Sequence, residues 1–125
     1  MPRPHPGNER SLSAPVLLLN LLEELRRLRS EPDWTGGKRT ITLTKQGGLR
    51  VVLVALHAGA SMEEHLAAGA MTAQVLEGRV HFVVGGETRT LSPGELMAVE
   101  PGLPHTVQAV EESAFLLTLA QPVER

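Results

Sequence analysis

The feature that most constrains the fold is a series of short β-like segments that begins after Gly36 and Gly37. Glycine or proline turns separate the segments, which are rich in β-branched and other apolar residues. One of them, Val51 to Leu56, is apolar on both faces, as a strand covered on both sides would be. Gly85-Gly86 is a strong hairpin signal. The predicted segments are Thr40 to Thr44, Val51 to Leu56, Met71 to Leu76, Val80 to Val84, Thr88 to Leu91, Leu96 to Val99, Thr106 to Val110 and Phe115 to Leu119. Many short strands without helices between them predict an all-β sandwich or closed barrel.

The stretch before these segments predicts an amphipathic helix from about Ser13 to Ser30. Ser13 suits its cap, Pro15 suits its first turn, and Pro32 lies just beyond its end. Leucines recur at steps of three and four along one face, while charged residues fill the other face. We interpret the helix as a leader packed on the barrel, with Trp34 as its anchor. The chain then divides into a flexible arm over 1–12, the leader helix and anchor over 13–34, and a barrel over 38–125.

Composition excludes several classes of function. The chain has no cysteine, which excludes disulfides and thiolate ligands and is consistent with a cytoplasmic protein. Its net charge is −2 and its basic residues are dispersed, so we expect no nucleic-acid partner. The longest apolar run, Val16 to Leu22, is far shorter than the ~20 residues that cross a bilayer, so we expect no membrane partner. The excess of arginine over lysine suggests a bacterial origin by association.

Two glycine-anchored patterns carry a resemblance to the cupin superfamily that extends from about Arg39 to Ala120. The first pattern consists of Gly59, His65, Ala67, Met71 and Gly78, and the second of Gly94, Glu100, Gly102, His105 and Ala109, with Pro101 one place late. The chain resembles the small, single-domain members, which are called cupin 2-like or RmlC-like. This resemblance implies a double-stranded β-helix, also called a jelly-roll or cupin barrel. It also implies a homodimer, because members of this family commonly pair through sheet edges.

The resemblance also locates a degenerate metal site. In members that hold a metal, two histidines and a glutamate of the first pattern and the histidine of the second grip one divalent ion. Here His65 and His105 match, but Ala67 and Met71 remove an imidazole and a carboxylate. We therefore expect no cofactor. The alternative is a weakly bound Zn, Mn, Fe or Ni ion on His65 and His105, with Glu63 as a third ligand.

These residues favour a ligand pocket inside the barrel. We predict that a small organic molecule binds there, with a carboxylate held by the two histidines. The predicted pocket residues are His65, Ala67, Met71, His105 and Ala109. One alternative is an enzyme, either a metal-dependent dioxygenase or isomerase with an incomplete site, or a metal-free lyase or isomerase with His65 or His105 as general base. Another is a dimeric structural protein without a ligand. No catalytic residue is assigned.

The remaining histidines are weaker candidates. His57 ends a buried strand and is expected at a surface or turn. His81 lies on the strand face opposite Val80, Phe82 and Val84, and alternation alone leaves open which of the two faces is inside.

Overall fold

The fold consists of two antiparallel β-sheets and one helix. The computed structural model describes residues 12–65 and 68–120, without the side chains of Glu64 and His65. Within these residues the elements are α1 (Leu21–Ser30), β1 (Lys38–Gln46), β2 (Leu49–Leu56), β3 (Ser61–His65), β4 (Met71–Glu77), β5 (Val80–Val84), β6 (Glu87–Leu91), β7 (Leu96–Val99), β8 (His105–Ala109) and β9 (Ser113–Ala120). The predicted all-β fold is therefore confirmed. Residues 1–11 of the arm, which is predicted over 1–12, lie outside the described residues.

Strand pairing gives the barrel two distinct ends. One sheet has the order β1-β2-β9-β4-β7 and the other the order β3-β8-β5-β6. In the first sheet Met71 lies opposite Val99 and Leu119, and in the second His105 lies opposite Val84. Short connections join β3 to β4 and β7 to β8. Met71 and its strand partners therefore lie at the same end of the barrel as His105 and its partner. We call it the His105 end.

Strand β2 is buried on both faces, as its sequence predicts. Val52, Val54 and Leu56 belong to the core between the two sheets. Leu53 and Ala55 face the other way, into a second core beneath the leader. Between the sheets, the rings of Phe82 and Phe115 meet edge to face with their centroids 5.4 Å apart. Burial of each such side chain contributes about 1.5–3 kcal/mol, so the two cores fix both layers.

The helix begins at Leu21, and the prediction that it begins near Ser13 is wrong. Asn20 is its cap, because the Asn20 side chain accepts a hydrogen bond from the backbone N–H of Glu23. Leu12 and Ala14 lie along β1 instead: the carbonyl of Leu12 accepts a hydrogen bond from the N–H of Lys45, and the N–H of Ala14 donates to Oε1 of Gln46. Contacts with the sheet edge thus replace the first helical turns.

The far end of the leader is where the sequence predicts it. The helix stops at Ser30, two residues before Pro32. Trp34 then stacks on the ring of His57, with centroids 3.9 Å apart and the planes inclined by 19°. Its Nε1–H donates to the carbonyl of Glu31. Trp34 thus contacts both the segment that ends the leader and the first residue after β2.

Turn geometry agrees with the glycine signals. Gly85 and Gly86 both have positive φ, at 57° and 86°, which is what a tight two-residue hairpin between β5 and β6 requires. Each of the eight predicted strand segments coincides with an observed strand, and Val110 alone lies one residue beyond its strand, β8. Strand β3 was not among them. Among the described residues, no helix is both long and apolar enough to cross a membrane.

Candidate functional site

His105 is a buried polar residue in an apolar barrel. It is the first residue of β8 and is 2% exposed. Its Nδ1 lies 3.2 Å from the carbonyl oxygen of Leu103. Because a carbonyl oxygen only accepts hydrogen bonds, Nδ1 donates, and Nε2 of the neutral ring carries the lone pair. The turn before β8 is held by the carbonyl of Pro104, which accepts from the N–H of Gly85. The carbonyl of Leu103 thus orients the imidazole of His105.

The backbone of His65 lies directly opposite that of His105. The two residues are Cα partners across β3 and β8, after an irregularity in β3 that follows Met62. Ala67, the next predicted pocket residue, lies outside the described residues. Glu63 is exposed on β3. Its role as a third metal ligand stays a prediction, as does the pairing of the two imidazoles.

Met71 stands at the same end of the barrel as His105. It is the first residue of β4, is 3% exposed and belongs to the core between the sheets. Ala109 is also in that core, but it is four residues along β8 from His105, or about 13 Å in an extended strand. Its N–H donates to the carbonyl of Ala60, at the opposite end. The structure therefore brings Met71 and His105 to one end and Ala109 to the other.

The described side chains do not fit a divalent metal ion. No group of three or more histidine, cysteine, aspartate or glutamate residues suited to holding a metal occurs among them. At the place where the family pattern has a carboxylate, the buried side chain is the thioether of Met71. A thioether is a poor ligand for ions that prefer oxygen and imidazole nitrogen. The weak-metal alternative gains no support from these residues.

Sequence reasoning missed a cation at the His105 end. Arg50 has the same strand parity as Val52 and Val54, which face the barrel core. Its Nη2 donates to Oγ1 of Thr42 at 3.3 Å, and the residue is half-buried. The available signal was the alternation within β2. The apolar run that predicts this strand begins just after Arg50, so the predicted segment does not include that residue.

The other two described histidines lie outside the barrel interior. His81 is on the outer face of β5, because Val80, Phe82 and Val84 are the buried residues of that strand. Its Nδ1 is 2.8 Å from Oγ1 of Thr90. His57 is exposed, as predicted, and its Nδ1 is 3.1 Å from the carboxylate of Glu112. Both histidines serve local contacts.

An apolar pocket lies where β4 begins and where β7 and β9 end. It has a volume of about 380 Å³, and its walls include Met71 and Val99 of the core between the sheets as well as Leu49, Thr72, Ala98, Thr118 and Ala120. The last five residues lie on the outer face of the first sheet, which the leader covers elsewhere. We call it the outer pocket. Its described walls do not include His105, but it shares Met71 with the predicted ligand site.

Comparison with known proteins identifies the family. A family model described as a cupin domain matches residues 52–120. The chain belongs to the cupin family. The matched residues run from β2 to β9, so they include both glycine-anchored patterns and the His105 end. The resemblance seen in the sequence is thereby confirmed.

Solved structures show the same cupin fold. An RmlC-like cupin from Shewanella frigidimarina has a TM-score of 0.67 and 23% identity, covering 72% of this chain and 81% of that one. A conserved protein of unknown function from Streptococcus pyogenes has a TM-score of 0.71 and 21% identity, covering 91% and 95%. Salicylate 1,2-dioxygenase from Pseudoaminobacter salicylatoxidans has a TM-score of 0.65 and 24% identity, covering 80% of this chain but 29% of that one.

These similarities establish the fold alone. The three structures are an RmlC-like cupin, a protein of unknown function and a dioxygenase, so they point to no common activity. Among curated proteins, none matches this chain. Function therefore has to be argued from the residues of this cupin itself.

Proposed function

We propose that this cupin binds a small organic molecule inside the His105 end of its barrel. The observation that carries the proposal is a buried imidazole, that of His105, set in an interior whose other described residues are almost all apolar. Its ring is oriented by the carbonyl of Leu103. A few placed polar groups on an apolar wall are typical of small-molecule sites. His65, its partner across the strands, is the proposed second polar group.

The proposed ligand has an apolar body and an acid group. Met71, Leu119 and Val84 supply apolar surface at this end of the barrel. A protonated imidazole donates from both nitrogens, so His105 with its Nδ1 bound to Leu103 can donate from Nε2 to a carboxylate oxygen. Ala67 in place of an imidazole and Met71 in place of a carboxylate leave a less polar site than the family pattern has.

Binding can be tested by NMR on uniformly ¹⁵N-labelled protein with benzoate, hexanoate and succinate as probes. We expect saturable shifts for at least one probe at the amides of His105 and Val84, which lie opposite each other and away from the outer pocket. Replacement of His105 by alanine should weaken that binding about tenfold or more, in line with the loss of one charge-assisted hydrogen bond. His81→Ala, which removes an exposed histidine from the adjacent strand, is the matched control and should leave binding unchanged.

Three results would contradict the proposal. The first is the absence of saturable shifts with all three probes. The second is a set of shifts confined to residues of the outer pocket, such as Thr72 and Ala98. The third is equal binding by wild type, His105→Ala and His105→Gln. The glutamine variant keeps a polar side chain and guards against a general loss of structure.

We further propose that the protein is a cytoplasmic homodimer. The cytoplasmic location is supported by the absence of cysteine. The dimer is supported by the common pairing of cupins. It is also supported by the leader, where Val16, Leu18 and Leu22 are 83%, 95% and 70% exposed. Three large apolar side chains on one segment are costly to leave in water. A second copy of this chain is the proposed cover.

A further inference from the structure

Arg50 and Lys45 form a pair of cations at the His105 end. They are register partners across β1 and β2, so the two side chains leave the sheet on the same face. On the next strand of the sheet, Arg50 lies opposite Leu119, which packs against the barrel core. Leu119 in turn lies opposite Met71. One row of residues thus runs from the two cations to the methionine of the predicted pocket.

This pair is unfavourable unless something negative joins it. Like charges directly opposite each other destabilise an antiparallel pair. Nε of Arg50 is buried and has no hydrogen-bond partner, and its one described side-chain bond goes to the neutral hydroxyl of Thr42. Within the described part of the chain, Arg50 and Lys45 have no carboxylate partner, whereas five of the other six arginines do. Those five are Arg26, Arg29, Arg39, Arg79 and Arg89.

We infer that Arg50, assisted by Lys45, recognises the anionic group of the ligand, and that the ligand is a small organic carboxylate. The inference rests on the proposed function, because it concerns the same end of the barrel. A guanidinium keeps its charge at any physiological pH and presents its N–H groups in a fork that matches a carboxylate. His105 can donate from Nε2 only when its ring is protonated. Arg50 therefore supplies the pH-independent part of recognition.

The surroundings favour a carboxylate with an apolar body over a bare inorganic anion. Beyond Arg50 the row continues with Leu119, Met71 and Val99, which offer no further hydrogen-bond donors from their side chains. A phosphate ion would find charge on one side and hydrocarbon on the other. An aliphatic or aromatic carboxylate satisfies both sides at once.

The competing explanation is that Arg50 is structural. Its aliphatic stem would then cover the edge of the core while its charged head stays hydrated. Arg50→Met separates the two explanations, because methionine keeps an apolar stem and removes the charge. Arg50→Lys keeps the positive charge and removes the forked N–H groups of the guanidinium. Arg89→Met, at an exposed residue of β6, is the matched control.

The experiment measures binding of three matched pairs, namely benzoate and benzamide, hexanoate and hexanamide, and nicotinate and nicotinamide. Titrations by NMR at pH 8.5 keep imidazoles of ordinary pKa, about 6.5, uncharged. In the wild type we expect at least one carboxylate to bind about tenfold more tightly than its amide. Arg50→Met should abolish that preference, Arg50→Lys should reduce it, and Lys45→Met should have a smaller effect because Lys45 is exposed. Arg89→Met should change nothing.

Each outcome has a distinct meaning. Equal carboxylate preference in wild type and Arg50→Met overturns this inference but leaves the proposed function standing. If the wild type binds amides and carboxylates with equal affinity, this inference is also overturned and the proposed function is kept. If inorganic phosphate at equal ionic strength displaces the carboxylate, the site is a general anion site and the inference is wrong. Absence of binding by every probe overturns both proposals. Should Arg50→Met fail to fold, the Nε–H signal of Arg50 in the wild type decides, because it should shift with a carboxylate and not with its amide.

Discussion

His65 and His105 lie directly opposite each other because β3 contains an irregularity. Met62 pairs with Val107, so an unbroken ladder would place Glu64 opposite His105. An extra residue in β3 moves the pairing by one position and brings the backbone of His65 there instead. Such bulges re-aim residues near functional sites. The juxtaposition of the two histidines is therefore a product of β3 and cannot be read from their spacing along the chain.

The first prediction concerns whether a metal ion is bound at His65 and His105. Protein purified without a histidine tag or chelator should contain far less than one Zn, Mn, Fe or Ni ion per chain, because Ala67 and Met71 stand where the family pattern has an imidazole and a carboxylate. Elemental analysis of wild type and of a His65→Ala, His105→Ala double variant checks it. Near-stoichiometric metal that disappears in the double variant would contradict it and would favour the metal-dependent enzyme alternative.

A second prediction concerns the close approach at Gly78. This residue has a φ of +81°, and a Cβ added there would lie 2.2 Å from the carbonyl oxygen of Glu112 and 2.3 Å from Oγ of Ser113. Gly78→Ala should therefore lower the free energy of unfolding by about 3 kcal/mol, combining backbone strain with overpacking.

The matched control for this prediction is Gly85→Ala. Gly85 also has a positive φ, at 57°, but nothing lies within 4 Å of its added Cβ. Its cost should be about 1 kcal/mol, from backbone strain alone. Urea unfolding followed by circular dichroism measures both values. Equal losses in the two variants would show that the close contacts with Glu112 and Ser113 do not contribute to the cost.

The strands were largely predictable from sequence, and the failures have local causes. Alternation and glycine turns locate β5 and β7 to the residue, since their side chains sort cleanly into inner and outer faces. Strand β3 escaped because Ser61 to His65 is mostly polar, and it pairs with β8 through a broken register. The start of α1 was misplaced because Pro15 and the spaced leucines imitate a first helical turn. Contacts with β1 outweighed that local preference.

The candidate site was predictable in part. Sequence patterns located Met71 and His105, and the structure buries both at one end of the barrel. Ala109 occupies a position of the same family pattern, yet β8 carries it to the other end. The opposition of Arg50 and Lys45 depends on strand register and on the irregularity between Thr42 and Thr44. Neither the register nor the irregularity can be read from the spacing of residues along the chain.

A third prediction concerns the stacked pair of Trp34 and His57. Trp34→Ala should lower the free energy of unfolding by about 2 kcal/mol, because it removes a partly buried ring from the core beneath the leader as well as the stack on His57. Trp34→Phe keeps an aromatic face and should recover more than half of the loss. Urea unfolding followed by circular dichroism checks both variants. No loss in Trp34→Ala would mean that the leader is held without this anchor.

The fourth prediction concerns assembly through the leader. Sedimentation equilibrium of the wild type should give a mass of two chains, because Val16, Leu18 and Leu22 present apolar side chains that a second copy can cover. Leu18→Asp should shift the protein toward monomers, since burying an unpaired carboxylate in an apolar interface costs several kcal/mol. Leu103→Asp is the matched control, because Leu103 is also exposed, at 39%, but lies in the turn before β8, away from the leader. A monomeric wild type would refute the dimer, whereas equal dissociation in both variants would move its interface to another surface.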